Sequence, residues 1–496
     1  MEKKTNHLRE LPFIAQIGLL MGPFLSMLDS NIVNVALPDI ASSIDASMNV
    51  VQWIVSGYLL AISAFIAASG FLAKRFGNYR VYIFSMIGFT LGSLLCAVAP
   101  NISFLIAARV IQGMFGSSLV PIAISMLVGS DGDRDKEFPI YMGIILFLSP
   151  ALAPTIGGLL IHFFNWQSIF WVNVPIGILG CLAVMKLPES HRIKGDSKQK
   201  FDALGFLLFS AGLTLITYGV SKGPEDGWFA GSVWPLWGSG LASFVLYYFW
   251  SRRCRFPIIS LKILKEENAL LSLILCVIAS VAMYSILIMV PVFMENIMQT
   301  SPVTTGLVLL PQGIVTGLGT YLGNKLPKRF GVKVSVIAGM ELLVSGTLLL
   351  QVMDAQTSNI AIAALLLLRG FAVGLVIQPL LTRLLGGLAP VEQTNVTTLF
   401  TSAQRLGGAS GVALITTFLQ ARVTANTQNV LAQLGISPDS AASGAGGAVP
   451  PQIQAQLTNA MVKGFHETVW LITAFSALGI LMALLLKRKK KKTAEE

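Results

Sequence analysis

Long, continuously apolar runs decide what this chain can be. Residues 269–293 contain no charged side chain at all, and comparable runs recur from end to end. About 20 apolar residues suffice to cross a bilayer as a helix. In lipid, only helices and closed β-barrels satisfy their own backbone. Barrel strands would be short and alternating, whereas these runs are long and unbroken, so the chain reads as all-α and polytopic. Its 54% hydrophobic and 12% charged residues contrast with roughly 25% charged in soluble domains. Mean hydropathy is +0.71. The 496 residues leave room for about fourteen spans. These are expected near 12–38, 50–73, 81–99, 102–128, 138–162, 166–186, 203–220, 231–250, 269–293, 303–324, 334–353, 360–385, 394–419 and 466–486.

The net charge of +11 raises nucleic acid as a partner, but the placement of the charges argues against it. With alternating loops and a cytoplasmic start, 29 Lys/Arg fall on one side and 3 (Lys222, Arg422, Lys463) on the other. That asymmetry is the positive-inside bias. It places both termini in the cytoplasm of a cell-membrane protein. The first apolar run is too long for a cleavable signal and is expected to stay as a helix. Cys96, Cys181, Cys254 and Cys276 are scattered, as are His7, His162, His191 and His466. No metal pattern, phosphate-binding loop or nucleophile grouping emerges. Neither an enzyme nor a cofactor is expected.

The chain repeats itself. Lys74-Arg75-Phe76-Gly77 after the second span recurs as Lys328-Arg329-Phe330-Gly331 after the tenth. Arg109 in the fourth span is matched by Arg369 in the twelfth. The expected organisation is a six-helix half (1–186), an inserted helix pair with basic loops (187–268) and a second six-helix half (269–496). Residues 420–465 are expected to form an outer loop, and within it 453–465 reads equally as a membrane-lying amphipathic helix or a linker.

Asp29 is an acid inside the first span, where an ionised carboxylate is costly unless paired or able to take a proton. It lies nine residues from Pro38, roughly 13 Å along a helix. Arg109 lies at a similar depth, so the two can pair if their helices are neighbours. Such a pair serves either as a proton switch or as a static helix-packing contact. Asn31, Asn34 and Gln112 can line the same cavity. Trp53, Tyr58, Phe65, Met114 and Met283 can form its apolar wall, and Arg405 can bind an anionic group or pair with Glu341. Glu341 is a second candidate proton site. Gly70, Lys74, Arg75, Gly77 and Arg80 form a short turn that either gates or merely anchors topology. Gly143, Pro150, Pro154, Gly157 and Gly158 in the fifth span suit a bent, closely packed, moving helix.

These motifs resemble those of the fourteen-helix drug:proton antiporters (EmrB/QacA type) of the major facilitator superfamily. Leu28–Pro38 resembles the family's first-helix motif, and Gly70–Arg80 its gating loop. Ile106–Gly116, Ser149–Gly158 and Trp166–Gly177 (with Phe170, Asn173 and Pro175) resemble the fourth-, fifth- and sixth-helix signatures. The resemblance covers nearly the whole chain. It implies alternating access, export coupled to proton entry, Asp29 as proton carrier, Arg109 as the group that tunes it, and the fifth helix as hinge. The chain departs in three places: Asn31 for Thr, Ala153 for Gly, and Lys74 where the gating loop has Asp. The last leaves gating to Arg75, Arg80 and the acids Asp131, Asp133 and Asp135. The partners implied are protons, small lipophilic molecules and membrane lipid, with a monomeric chain. The alternatives are a carrier of the same fold for one lipid, siderophore or antibiotic, and a non-transporting membrane receptor or scaffold.

Overall fold

A computed structural model describes residues 12–128, 140–189, 192, 195–196, 198–386, 388, 390–434 and 451–487. Among them run fourteen long helices and no strand. They are α1 (Phe13–Ile44), α2 (Met48–Phe76), α3 (Asn78–Ala97), α4 (Ile102–Leu127), α5 (Ile140–Phe163), α6 (Ser168–Met185) and α7 (Ala203–Asp226). Then follow α8 (Trp234–Arg253), α9 (Ala269–Asn296), α10 (Pro302–Phe330), α11 (Val332–Val352), α12 (Asn359–Leu385), α13 (Pro390–Gln433) and α14 (Pro451–Leu484). Eleven are long and apolar enough to cross a membrane by length and composition alone. Of the other three, α5 and α13 lie packed among them and α8 lies against α7.

The packing repeats as the sequence does. Helix α1 lies against α5 and α6, as α9 lies against α13 and α14. Helices α2 and α3 both rest on α4, as α10 and α11 rest on α12. The repeated tetrapeptide has one backbone solution in both halves. Gly77 and Gly331 end their helices at φ 87° and 86°, a conformation that disfavours any residue with a Cβ. The next helix starts directly after each.

The two halves meet where α5 packs on α10 and α2 on α13. Helix α7 covers the second of these seams, lying against both α2 and α13. Aromatic pairs fasten α7 and the residues just before it to α2 along its length: Trp53–Tyr218 at 5.8 Å, Phe65–Phe206 at 5.9 Å and Phe71–Phe201 at 5.0 Å.

Two sequence expectations need correction. The first helix does not end near Pro38 but continues through it to Ile44, where Asp45 turns the chain at φ 53°. Asp29 is thus 15 residues from the helix end, roughly 22 Å along it. Residues 420–465 are not simply an outer loop. Helix α13 has 44 residues and α14 has 34, roughly 66 and 51 Å, against about 30 Å of hydrocarbon. Both run on past the bundle as paired arms, so residues 453–465 are the opening turns of α14. Gly464 packs on Val423, and Arg422 Nε meets Glu467 Oε2 at 2.5 Å. The arms themselves are rich in helix-forming Ala, Gln and Leu. Gly and Ser concentrate in residues 435–450, so the averaged composition of the segment hid two helices.

Candidate functional site

The site is built on α1, α3, α4 and α6. Close approach of α2 to α4 positions it: a Cβ at Gly113 would stand 2.6 Å from the Tyr58 carbonyl. Asp29 and Arg109 are both fully buried and form a salt bridge, Arg109 Nη1 donating to Asp29 Oδ2. The other carboxylate oxygen, Oδ1, accepts from Asn173 Nδ2 at 2.8 Å and from Gln112 Nε2 at 3.2 Å. Asn173 also donates to Ser93 Oγ at 3.0 Å, and Ser93 donates to the Phe170 carbonyl at 2.9 Å. Arg109 donates through Nε to the Ile54 carbonyl at 3.1 Å and through Nη1 to Gln112 Oε1 at 2.8 Å. Its guanidinium lies 3.9 Å from the centre of the Tyr58 ring. The Tyr58 hydroxyl donates to the Ser26 carbonyl at 3.3 Å.

A buried carboxylate survives only when paired and hydrogen-bonded. Here every face of Asp29 is occupied by charge-assisted bonds, the strong kind. A proton on Asp29 would cancel the charge that holds Arg109, Gln112 and Asn173 together. The cage is therefore an assembly of four helices around one titratable group. In this conformation it is closed to solvent.

Of the other predicted residues, Gln112 joins the cage and Tyr58 walls it. Ser30, Asn31 and Asn34 form a polar stripe on the uncovered face of α1, with Asn31 Nδ2 donating to the Met27 carbonyl at 2.8 Å. Trp53 stands apart at the α2–α7 seam, 40% exposed. Met283 is buried in the core of the second half, and Met114 is half-buried. Glu341 is exposed on α11 and makes no ion pair among the described residues, and Arg405 is not its partner. Arg369 is buried like Arg109, but it donates to the Ala282 carbonyl at 2.8 Å and meets no acid among the described residues.

Around the Gly70–Arg80 turn the halves are shut against each other. Asn78 Nδ2 donates to Thr394 Oγ1 at 3.3 Å, Ser125 Oγ bonds the same atom at 2.8 Å, and Ser69 Oγ bonds Thr398 Oγ1 at 3.1 Å. A Cβ on Gly70 would stand 2.3 Å from Asn395 Oδ1. Lys74 is half-buried and lies within electrostatic reach of Glu392 at the start of α13. Arg75 donates to the Gln199 carbonyl, and Arg80 is exposed. The acids Asp131, Asp133 and Asp135 lie outside the described residues. In α5, Pro150 and Pro154 sit within a continuous helix that also contains Gly143. Gly157 abuts Ile32 of α1, whereas nothing stands within 4 Å of a Cβ at Gly158.

Sequence reasoning named Asn173 only as part of a signature and did not place it on Asp29. Its signal was an amide in an otherwise apolar helix. The polar run Gln393-Thr394-Asn395-Val396-Thr397-Thr398 inside the thirteenth span was also passed over.

Comparison with known proteins agrees with this architecture. The chain is 29% identical to the "Multidrug resistance protein B homolog" of Mycobacterium tuberculosis (strain H37Rv), over 92% of this chain and 87% of that one. It is 30% identical to "Multidrug resistance protein Stp" of M. tuberculosis (strain CDC 1551 / Oshkosh), over 87% and 82%. It is 27% identical to "Lincomycin resistance protein LmrB" of Listeria monocytogenes, over 97% and 98%. The fold is similar to the crystal structure of the human organic anion transporter MFSD10, with a TM-score of 0.56 at 13% identity, covering 95% of this chain and 98% of that one. The Major Facilitator Superfamily model matches residues 19–412. A chain with this pairing of repeated halves and this match over most of its length belongs to the Major Facilitator Superfamily.

Proposed function

We propose that this transporter exports lipophilic or amphipathic drugs in exchange for protons, with Asp29 as the proton carrier. The observation that carries the reading is the buried cage itself. One carboxylate holds α1, α4 and α6 together through Arg109, Gln112 and Asn173. A proton arriving there removes the charge that organises three helices, and that is how a proton can change helix packing. The curated relatives named for drug resistance support the cargo class.

In this reading the basic turns mark the cytoplasmic side, and the shut end around Gly70–Arg80 makes this an outward-facing member of the transport cycle. The polar latch of Ser69, Asn78 and Ser125 on Thr394 and Thr398 holds it closed. Lys74, where an acid is usual, faces Glu392 across the halves, so the gate's charges are exchanged rather than lost. Proton entry supplies about 2.3 kcal/mol per charge per 100 mV, enough to break one or two neutral hydrogen bonds of this kind.

The test is proton movement in proteoliposomes on addition of a panel of lipophilic compounds. Wild type moves protons with at least some of them, and Asp29→Asn moves none. Equal movement in both would place the coupling group elsewhere.

A further inference from the structure

The interior of the second half holds charge that nothing among the described residues balances. Among the described residues, the buried centre of the bundle carries three guanidiniums, Arg109, Arg369 and Arg405, and one carboxylate, Asp29. Arg109 and Asp29 neutralise each other. Both oxygens of Asp29 are already taken. Arg405, half-buried on α13, has no carboxylate partner among the described residues. Its Nη2 is a buried donor without an acceptor, and its other nitrogens meet no described acceptor.

The setting of Arg405 is the junction of the two halves. It lies within electrostatic reach of the hydroxyls of Tyr58 on α2 and Tyr284 on α9. Helix α13 presses on α9 beside it, since a Cβ at Gly408 would stand 2.7 Å from the Tyr284 ring. Tyr284 is half-buried. Tyr58 ties the same spot to the uncovered polar face of α1 through Ser26 and Ser30. A guanidinium this deep in a bilayer costs several kcal/mol unless a counter-charge or water accompanies it. Its planar fork matches the oxygens of carboxylates, sulfonates and phosphates.

Building on the exporter reading, we propose that Arg405 is a specificity-determining residue that receives an anionic group on an amphipathic cargo, with the Tyr284 hydroxyl as a flanking donor. The cargo brings the missing counter-charge, and its apolar body rests against the seam between the halves. Cationic compounds are then the disfavoured class, because the free charge they meet is positive.

The experiment uses the full chain in phosphatidylcholine nanodiscs and three probes with one hydrophobic body: a pyrene sulfonate, the uncharged pyrene alcohol and a pyrene trimethylammonium. Tryptophan-to-pyrene energy transfer reads binding, and empty nanodiscs give the background. Wild type binds the sulfonate about tenfold or more tightly than the alcohol, the worth of one charge-assisted hydrogen bond. Arg405→Gln abolishes that preference while alcohol binding persists, which also shows that the variant is folded. Arg405→Lys retains part of it. Repeating the titration with phosphatidylglycerol in the disc separates two sources of the anion. Competition in wild type but not in Arg405→Gln identifies a lipid headgroup, and absence of competition identifies a free amphiphile. Equal affinities for the three probes in wild type, or an unchanged preference in Arg405→Gln, overturns the proposal. If the alcohol and the ammonium drive proton movement in the proteoliposome assay while the discs show no preference for the sulfonate, this inference fails and the exporter reading stands. If none of the three binds wild type, this inference fails, and the exporter reading is decided by the proteoliposome panel.

Discussion

Replacing Thr394 by valine should loosen one end of the molecule by a calculable amount. The substitution keeps the side chain's shape and removes its hydroxyl. Two hydrogen bonds between the halves disappear, from Asn78 at 3.3 Å and with Ser125 at 2.8 Å. Asn78 and Ser125 still bond each other at 3.1 Å, so neither is left without a partner. At about 0.5–1.5 kcal/mol net for each bond, the closed end loses about 1–3 kcal/mol. That is roughly a 5- to 150-fold change in the ratio of closed to open. Spin labels at Phe84 and Val334, both exposed and one on each half, report the separation by double electron–electron resonance. Thr394→Val should add a longer-distance population that is minor or absent in wild type. Thr468→Val is the control, because that hydroxyl bonds only the Gly464 carbonyl of its own helix. An unchanged distribution in Thr394→Val, or equal opening in the control, would refute the latch.

Other outcomes follow from the same geometry. Lys74→Asp sets like charges against Glu392 and should open the same end, and Glu392→Lys added to it should restore closure by about 0.2–1 kcal/mol, read with the same labels. Gly70→Val places side-chain carbon where Asn395 Oδ1 stands 2.3 Å away, so it should block closure and abolish transport while the protein remains monodisperse on size exclusion. Glu341→Gln should leave cargo-driven proton movement at the wild-type level, because Glu341 is exposed on α11 and takes no part in the Asp29 cage. A loss of proton movement in that variant would give Glu341 a coupling role.

Much of this molecule was legible because lipid allows so few solutions. Continuous apolar runs dictate helices, and Lys74-Arg75-Phe76-Gly77 with its recurrence points to a duplicated plan whose two glycines share one backbone conformation. The pairing of Asp29 with Arg109 was expected from matched depths in two apolar helices, although the depth of Asp29 was counted from Pro38 and the helix runs on to Ile44. What stayed hidden depends on which faces meet. Nothing in the spacing of Asn173 says that its amide reaches Asp29 across the bundle, nor that Ser93 steadies it. Glu341 and Arg405 look alike in sequence, each a charge in an apolar run. One faces outward and the other lies at the junction of the halves, and only packing separates them. The paired arms were missed because the Gly- and Ser-rich residues 435–450 dominated the average over helix-forming flanks.

The central claim is that Asp29 couples protons to a cargo cycle that can run without it. Two transport modes in proteoliposomes separate those roles: exchange of labelled for unlabelled cargo with no gradient, and uphill accumulation driven by an imposed pH gradient. Asp29→Asn should still exchange cargo, since the single amide oxygen there can still accept from Arg109, but it should not accumulate cargo against a gradient. Accumulation by Asp29→Asn at the wild-type level would show that the proton travels by another residue.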